Sequence, residues 1–430
     1  WHYYLEEAEQ EPEVQEQLAE IRKEYAALIP DQLKVIDPCS GSGHILAYMF
    51  DVLMKIYESY GYTTREAVAS IVENNLYGLD IDDRAAQLAY FSVMMKAAEY
   101  DKRFLKRKDE DGNPKIPQPH VYAIVESNHI DKFVVDYFCN GDMRLTAAMD
   151  TIISELYDAK EYGSILTVTS QNWSALYDRF SEITEDINMS RETALGELLP
   201  LVQVAETLAQ KYDAVVTNPP YMSTGGMNAK LQSFVKKKFA DSKSDLYAVF
   251  IDKCSKMVNK IGLCSMITQH TWMFLSRYEK MRSAFNMMFI NMAHLGARAF
   301  DEISGEVVQT VSFVMGARYI NNYVGKYIRL VEYSGETEKA KAFFKNRNSF
   351  NSKQSRFMNI PGSPIAYWVT QSELDAFEKG TPLKNVATPR VGAITGNNER
   401  FIKNWWEISI YDIKFDIHNY EESVTSIVKW

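Results

Sequence analysis

Apolar and β-branched residues fill the stretch Tyr212-Asp213-Ala214-Val215-Val216-Thr217, and the prolines Pro219 and Pro220 stop it. Such a run predicts a buried strand. The prolines end it because neither can donate to a ladder or continue into a helix. The same kind of run predicts strands over 34–37, 76–82 and 121–126 upstream, and over 262–268, 290–295 and 307–315 downstream. Between them, apolar residues at three- and four-residue spacing predict helices over 45–60, 63–74, 84–99, 230–239, 246–260 and 277–289. Residues 3–30 read as a charged helix with Leu18, Ile21, Tyr25 and Leu28 on one stripe. The stretch 131–211 reads as a long, mostly helical insertion with a short strand pair over 164–169. Strands alternating with helices predict an α/β, doubly wound sheet. Its last two strands are separated only by 296–305, which predicts an antiparallel final pair.

Composition narrows the class. A chain of 430 residues, 46% hydrophobic and 24% charged, can bury a large core as two or three domains. The divisions expected are a helical segment over 1–33, a main domain over 34–325 with the insertion at about 131–211, a connecting segment over 326–385 and a C-terminal module over 386–430. No run of about 18 apolar residues and no leader pattern is present, so the reading is cytoplasmic with no membrane partner. Cys39, Cys139, Cys254 and Cys264 are scattered, which suggests neither a disulfide framework nor a metal site. The net charge of −10 argues against a nucleic-acid binder. Locally the sign reverses, at Lys236, Lys237 and Lys238 and again over 345–356, and a phosphate backbone feels the local field.

Three strand ends carry candidate chemistry. After the first strand comes Asp37-Pro38-Cys39-Ser40-Gly41-Ser42-Gly43-His44 and then a helix. Gly41 and Gly43 would let the backbone approach a ligand that faces the free N–H groups of the helix start. The pattern matches neither a P-loop nor G-x-G-x-x-G. Asp37 would repel a pyrophosphate but suits the cationic end of an amino acid. Asp80 ends the second strand, where an acid commonly holds ribose hydroxyls, and Ile81 is placed to pack on a purine. Asp82 or Asp83 is the better cap for the helix that follows. Glu126 ends the third strand. Asn218-Pro219-Pro220-Tyr221 ends the fourth. An amine conjugated to a ring or carbonyl is a poor nucleophile. The Asn218 side-chain oxygen and the Pro219 carbonyl could accept its two hydrogens and favour a more pyramidal nitrogen, while Tyr221 stacks on the planar group.

In their order and placement, Asp37 to His44, Asp80 and Asn218 to Tyr221 resemble the S-adenosylmethionine-dependent amino-methyltransferases, and the order resembles the gamma class of DNA N6-adenine methyltransferases. The flanking similarity at 78–82, Glu126-Ser127-Asn128 and Thr395-Gly396-Asn397 resembles the PglX-type methyltransferases of BREX phage-resistance systems, to which type IIG restriction-modification proteins are related. The resemblance implies a Rossmann-like methyltransferase sheet with an antiparallel last strand and the start of a target-recognition domain from 386. It implies S-adenosyl-L-methionine as cofactor, with Asp37, Pro38, Ser40, Gly41 and Gly43 around its methionine part, Asp80 on the ribose, Ile81 on the purine and Glu126 near the adenine. Asn218, Pro219, Pro220 and Tyr221 would handle a flipped adenine of double-stranded DNA, and Lys236, Lys237 and Lys238 would meet phosphates. Other phage-defence or restriction proteins are the implied partners. The chain departs from the family in showing no F-x-x-P-like turn before Lys34 and in stopping soon after Trp405-Trp406, so the expectation is a core cut from a larger protein. Two rival readings stay open: an enzyme acting on RNA or on a protein glutamine amide, and a DNA-binding scaffold without turnover.

Overall fold

A computed structural model describes residues 4–109, 111–300 and 308–387, together with 407–409, 411, 413–414 and 428–429. Residues up to Glu378 form one compact unit and those from Lys379 a second. The second unit holds a short helix, Leu383–Val386, and a parallel pair of two-residue strands, Ile413–Lys414 with Val428–Lys429. The sequence signals at 388–406, Thr395-Gly396-Asn397 and Trp405-Trp406 among them, lie outside the described residues.

In the first unit the strands are β1 (Val35–Asp37), β2 (Leu76–Asp80), β3 (His120–Ala123), β4 (Tyr212–Thr217), β5 (Val258–Gln269), β6 (Met288–Gly296), β7 (Thr310–Gly316), β8 (Val324–Arg329) and β9 (Ser349–Lys353). They make one mixed sheet in the order β3-β2-β1-β4-β5-β7-β6-β8-β9. The first five are mutually parallel. β7 lies antiparallel between β5 and β6, so the expected antiparallel pair forms. The sheet also runs further than the sequence pattern reaches, because β8 joins β6 in parallel and β9 closes the edge antiparallel to β8.

The α-helices up to Phe344 are α1 (Pro12–Ala27), α2 (His44–Ser59), α3 (Thr64–Ser70), α4 (Asp83–Tyr100), α5 (Lys132–Cys139), α6 (Met143–Glu155), α7 (Ala159–Tyr162), α8 (Trp173–Thr184), α9 (Ser190–Thr193), α10 (Leu199–Ala209), α11 (Ala229–Lys238), α12 (Leu246–Met257), α13 (Glu279–Ser283) and α14 (Glu336–Phe344). Their starts are chemically marked. Asp82 caps α4 through the N–H groups of Arg84 and Ala85, and Thr63 with Glu66 forms a capping box on α3. α2, α3 and α4 bury Leu46, Phe50, Leu53, Val68 and Val93 on one face of the sheet. The insertion helices and α12 bury a larger core on the other. Two layers of helix around a mostly parallel sheet leave the strand ends as the natural place for chemistry.

Three local expectations are corrected. The stretch 164–169 forms no strand pair: Gly163–Ile165 is a 3₁₀ turn and the chain beyond it is irregular. Side chains replace the ladder there. Lys253 Nζ donates to the Leu166 carbonyl at 2.5 Å and Glu155 accepts from the Thr169 N–H at 2.7 Å. The helix expected over 246–260 ends at Met257, because Val258 already pairs with Tyr212 across a bulge. The helix expected over 277–289 shrinks to α13, with β6 starting at Met288. Arg282 explains the break: it is buried, and its guanidinium donates to the carbonyls of Trp272, Leu275 and Ser363 at 2.8, 2.8 and 2.9 Å. A solvent-facing helical position could not hold those partners.

Candidate active site

The strand register places Asp37, Asp80 and Asn218 on one edge of the sheet. Asp37 pairs with Gly78, Asp80 pairs with Ala123, and Thr217, the last residue of β4, pairs with Met266. These are the carboxyl ends of neighbouring parallel strands, in the order β2, β1, β4.

The turn 38–43 is tied to β2 at two points. The Ser40 N–H donates to the Leu79 carbonyl at 2.9 Å, and the Gly41 N–H donates to Asp80 Oδ2 at 2.8 Å. Gly41 and Gly43 have φ of 51° and 85°, the left-handed region that favours glycine. The two differ in surroundings. A Cβ on Gly43 would come within 2.7 Å of the Ala89 backbone, so this glycine seats the turn on α4. A Cβ on Gly41 would meet nothing within 4 Å, which leaves open space above the turn for a ligand.

Asp37 is only 1% exposed. Its Oδ1 accepts from the Cys39 N–H at 3.0 Å and from the Thr217 hydroxyl at 2.7 Å. Among the described residues, Asp37 Oδ2 and Ser40 Oγ are buried without a partner. Burial pushes the Asp37 carboxyl up to about 7; the Thr217 and Cys39 bonds oppose this, and the nearby Asp80 adds to it. An orphaned buried oxygen in a native fold calls for an explanation, and an absent polar or cationic ligand is one.

Asp80 turns out to have structural duties as well. Besides Gly41, it accepts from the Asp82 N–H through Oδ1 at 2.9 Å. Ile81 is 45% exposed, with its flank against Gly163, where a Cβ would lie 3.4 Å from Ile81 Cδ1. Glu126 does not end the third strand as expected: β3 stops at Ala123, and Glu126 lies three residues beyond it, bordering a cavity of about 270 Å³ with His129, Ile130, Glu197 and Pro200. Its neighbour Asn128 instead exchanges two hydrogen bonds with Asp158, at 2.8 and 2.7 Å.

On the β4 side, Pro219 is buried while Asn218 stands exposed. Its amide has no hydrogen-bond partner among the described residues. Tyr221 is half-buried, its hydroxyl donating to the Ile267 carbonyl at 3.3 Å and its ring meeting Tyr247 edge-on at 5.9 Å. Burial pushes its hydroxyl up to about 12. The next residues are anchored too. The Met222 N–H donates to Asp245 Oδ1 at 3.0 Å, and the Leu246 N–H donates to the Met222 carbonyl at 2.9 Å.

The three lysines behave differently. Lys236, Lys237 and Lys238 are exposed in the last turn of α11, where cations also suit the helix dipole. A ten-residue helix separates them by about 15 Å from Asn228 at its start. Sequence reasoning also missed Thr217, Asn128, Asp158 and Asp245. Thr217 and Asn128 stood inside quoted motifs; the other two gave no local signal.

Comparison with known proteins adds the family. The model described as Eco57I restriction-modification methylase matches residues 74–297, more than half of the chain, and the match includes Asp80 and Asn218 to Tyr221. The chain is 40% identical, over 95% of its length, to the adenine-specific methyltransferase BrxX of Escherichia coli O9:H4 (strain HS). It is 36% identical, over 96% of its length, to the adenine-specific methyltransferase PglX of Lacticaseibacillus casei (strain Zhang). It spans 35% and 34% of those two proteins, about a third of each. Matched over most of the sheet and both of those strand-end motifs, this chain belongs to the Eco57I restriction-modification methylase family.

Proposed function

We propose that the chain is the methyl-transfer core of an S-adenosylmethionine-dependent DNA adenine-N6 methyltransferase of the PglX type, working in phage defence. The observation that carries this is the bond from Thr217 Oγ1 to Asp37 Oδ1. It locks the turn suited to a cationic cofactor against the residue that precedes Asn218. Cofactor side and target side are thus held in one frame before any ligand arrives, which is what positioning two reactants requires.

The residues present fit the cofactor. The unpartnered Asp37 Oδ2 and Ser40 Oγ offer polar contacts to an amino-acid moiety, and the space over Gly41 admits it. Pro38 and Gly43 complete that turn. Asp80 keeps lone pairs free for ribose hydroxyls, Ile81 offers an exposed apolar surface to a purine, and Glu126 follows two residues after Ile124, whose N–H bonds the Asp80 carbonyl. S-adenosylmethionine, when bound, supplies an electrophilic methyl group on a sulfonium. The chain's own task is the acceptor. An adenine inside a duplex cannot reach that edge, so it must leave the stack at a cost of a few kcal/mol. Stacking on Tyr221 returns about 1–3 kcal/mol of that cost. Lys236, Lys237 and Lys238 would meet phosphates.

The test is tritiated-methyl transfer to duplex DNA, RNA and protein in parallel. It is run with this chain and with the protein at the full length its gene encodes. Transfer to DNA is the expected result; transfer to RNA or protein but not DNA would overturn the reading. In the same assay Tyr221→Phe should be mild, because the hydroxyl makes only one long bond, whereas Tyr221→Ala should be severe. Asp80→Ala should weaken cofactor binding by about 100-fold, from two charge-assisted bonds worth roughly 1.5 kcal/mol each. The freed Gly41 N–H should add to the loss. Calorimetry finding the affinity unchanged would take Asp80 out of the site.

A further inference from the structure

One short piece of the insertion touches both halves of the site. Residues 158–164 run from Asp158, left-handed at φ 56°, through α7 to Gly163, whose φ of 61° with ψ of −148° is a glycine conformation. On the cofactor side, Ser164 Oγ donates to the Pro38 carbonyl, Gly163 lies against Ile81, and Lys160 pairs with Asp83 at 2.5 Å. Asp158 holds Asn128 beyond β3. On the target side, the same segment grips α11. The Tyr162 ring stacks on Phe234 with centroids 4.3 Å apart, Glu161 accepts from Asn228 at 2.6 Å, and Asp158 pairs with Lys230 at 3.0 Å. α11 in turn holds the loop that follows Tyr221, since Gln232 Nε2 donates to the Thr224 carbonyl at 3.1 Å.

We propose that Asp158, Glu161 and Tyr162 are positioning residues that link the cofactor turn to α11, so that filling the cofactor site further orders the loop that follows Tyr221. This rests on the cofactor reading given above. The stacked ring pair is the main connection, because exposed ion pairs such as Lys230 with Asp158 contribute little alone. Asp158, at the start of α7, sits in the left-handed region as a non-glycine residue, and its two bonds to Asn128 help hold it there. Nothing in this link touches the acceptor amine. Its loss should therefore change the order of α11 and the use of the nucleic acid, not the affinity for the cofactor.

Amide hydrogen exchange with and without S-adenosylmethionine, on the 430-residue chain and on Tyr162→Ala, Tyr162→Phe and Asp158→Ala/Glu161→Ala, tests this. In the unmutated chain the cofactor should slow exchange over 222–238 by at least about fivefold. Tyr162→Ala should lose that protection and the double variant only part of it, while their cofactor affinity stays within about twofold, and Tyr162→Phe, which keeps the ring, should retain it. Cofactor binding with no protection of 222–238 in the unmutated chain would overturn the link alone. So would protection that survives in Tyr162→Ala, or an affinity that falls as far as the protection does. No cofactor binding by the unmutated chain would overturn the underlying reading and the link with it.

Discussion

Asn218→Ala should lower methyl transfer by roughly 100- to 1,000-fold while S-adenosylmethionine binds as before, the size of loss seen when a group acting mainly in the transition state is removed. The acceptor nitrogen of adenine has its lone pair delocalised into the ring. Hydrogen-bond acceptors placed at its two hydrogens become more useful as the nitrogen pyramidalises toward the methyl, so their contribution falls on the barrier rather than on binding. In the proposed reading Asn218 would supply one such acceptor and the Pro219 carbonyl the other, both held by the buried first proline of a Pro-Pro pair at the end of β4. The variant is a clean test because Asn218 is exposed and bonded to nothing described, so its removal should shift stability by no more than about 0.5 kcal/mol. Rate measured at saturating cofactor, beside calorimetric affinity, separates the two effects. A variant that keeps most of its rate would contradict the role given to Asn218.

The sequence exposes the frame of this fold for an identifiable reason. Strands buried on both faces read as continuous apolar runs, and Val35-Ile36 and Ala214-Val215-Val216 are of that kind. β8 and β9 are not. Val-Gly-Lys-Tyr-Ile-Arg mixes a glycine and two cations into six positions, and Ser-Phe-Asn-Ser-Lys is the polar sequence of a protected edge. α13 was overextended because Arg282 looks like a surface residue until its four carbonyl partners are seen, two of them 80 and 81 residues away. At the site, Asp37, Asp80 and Asn218 could be placed at strand ends because each closes a strand pattern. What joins them could not be read. The Thr217–Asp37 bond spans 180 residues and the Gly41–Asp80 bond spans 39, and neither leaves a periodicity. Asp80 consequently looked like a ribose ligand alone, whereas the fold shows it fixing the turn beside it. The α7 link was hidden for the same reason, in an insertion read only as mostly helical.

Asp37 should make the stability of this protein fall as the solution is made less acidic. Its carboxyl is pushed up to about 7 by burial, against an ordinary value near 3.8. Below pH 4 the group is protonated in both folded and unfolded chains. From there to pH 7 the unfolded chain ionises while the folded one keeps its proton, so stability declines across that window and levels off above it. A shift of about three units corresponds to about 4 kcal/mol in full. The groups facing the carboxyl are the Thr217 hydroxyl and the Cys39 N–H, which favour its charge, and Asp80, which opposes it; the Cys39 thiol is itself pushed well up by burial and stays neutral. Asn at this position keeps an acceptor for Thr217 and Cys39 without a charge to bury. Asp37→Asn should therefore gain stability over the parent, by about 2–3 kcal/mol more at pH 8 than at pH 5. Comparing the two proteins cancels the other carboxylates, several of which, such as Asp82 and Asp158, are shifted the opposite way. Urea unfolding at the two pH values reads this directly, and parallel curves for the two proteins would dismiss the buried charge. A cation facing the free Oδ2 would pull the same equilibrium back toward ionisation. Affinity for a cationic cofactor should then weaken as pH drops below 7, and Asp37→Asn should bind it poorly at every pH.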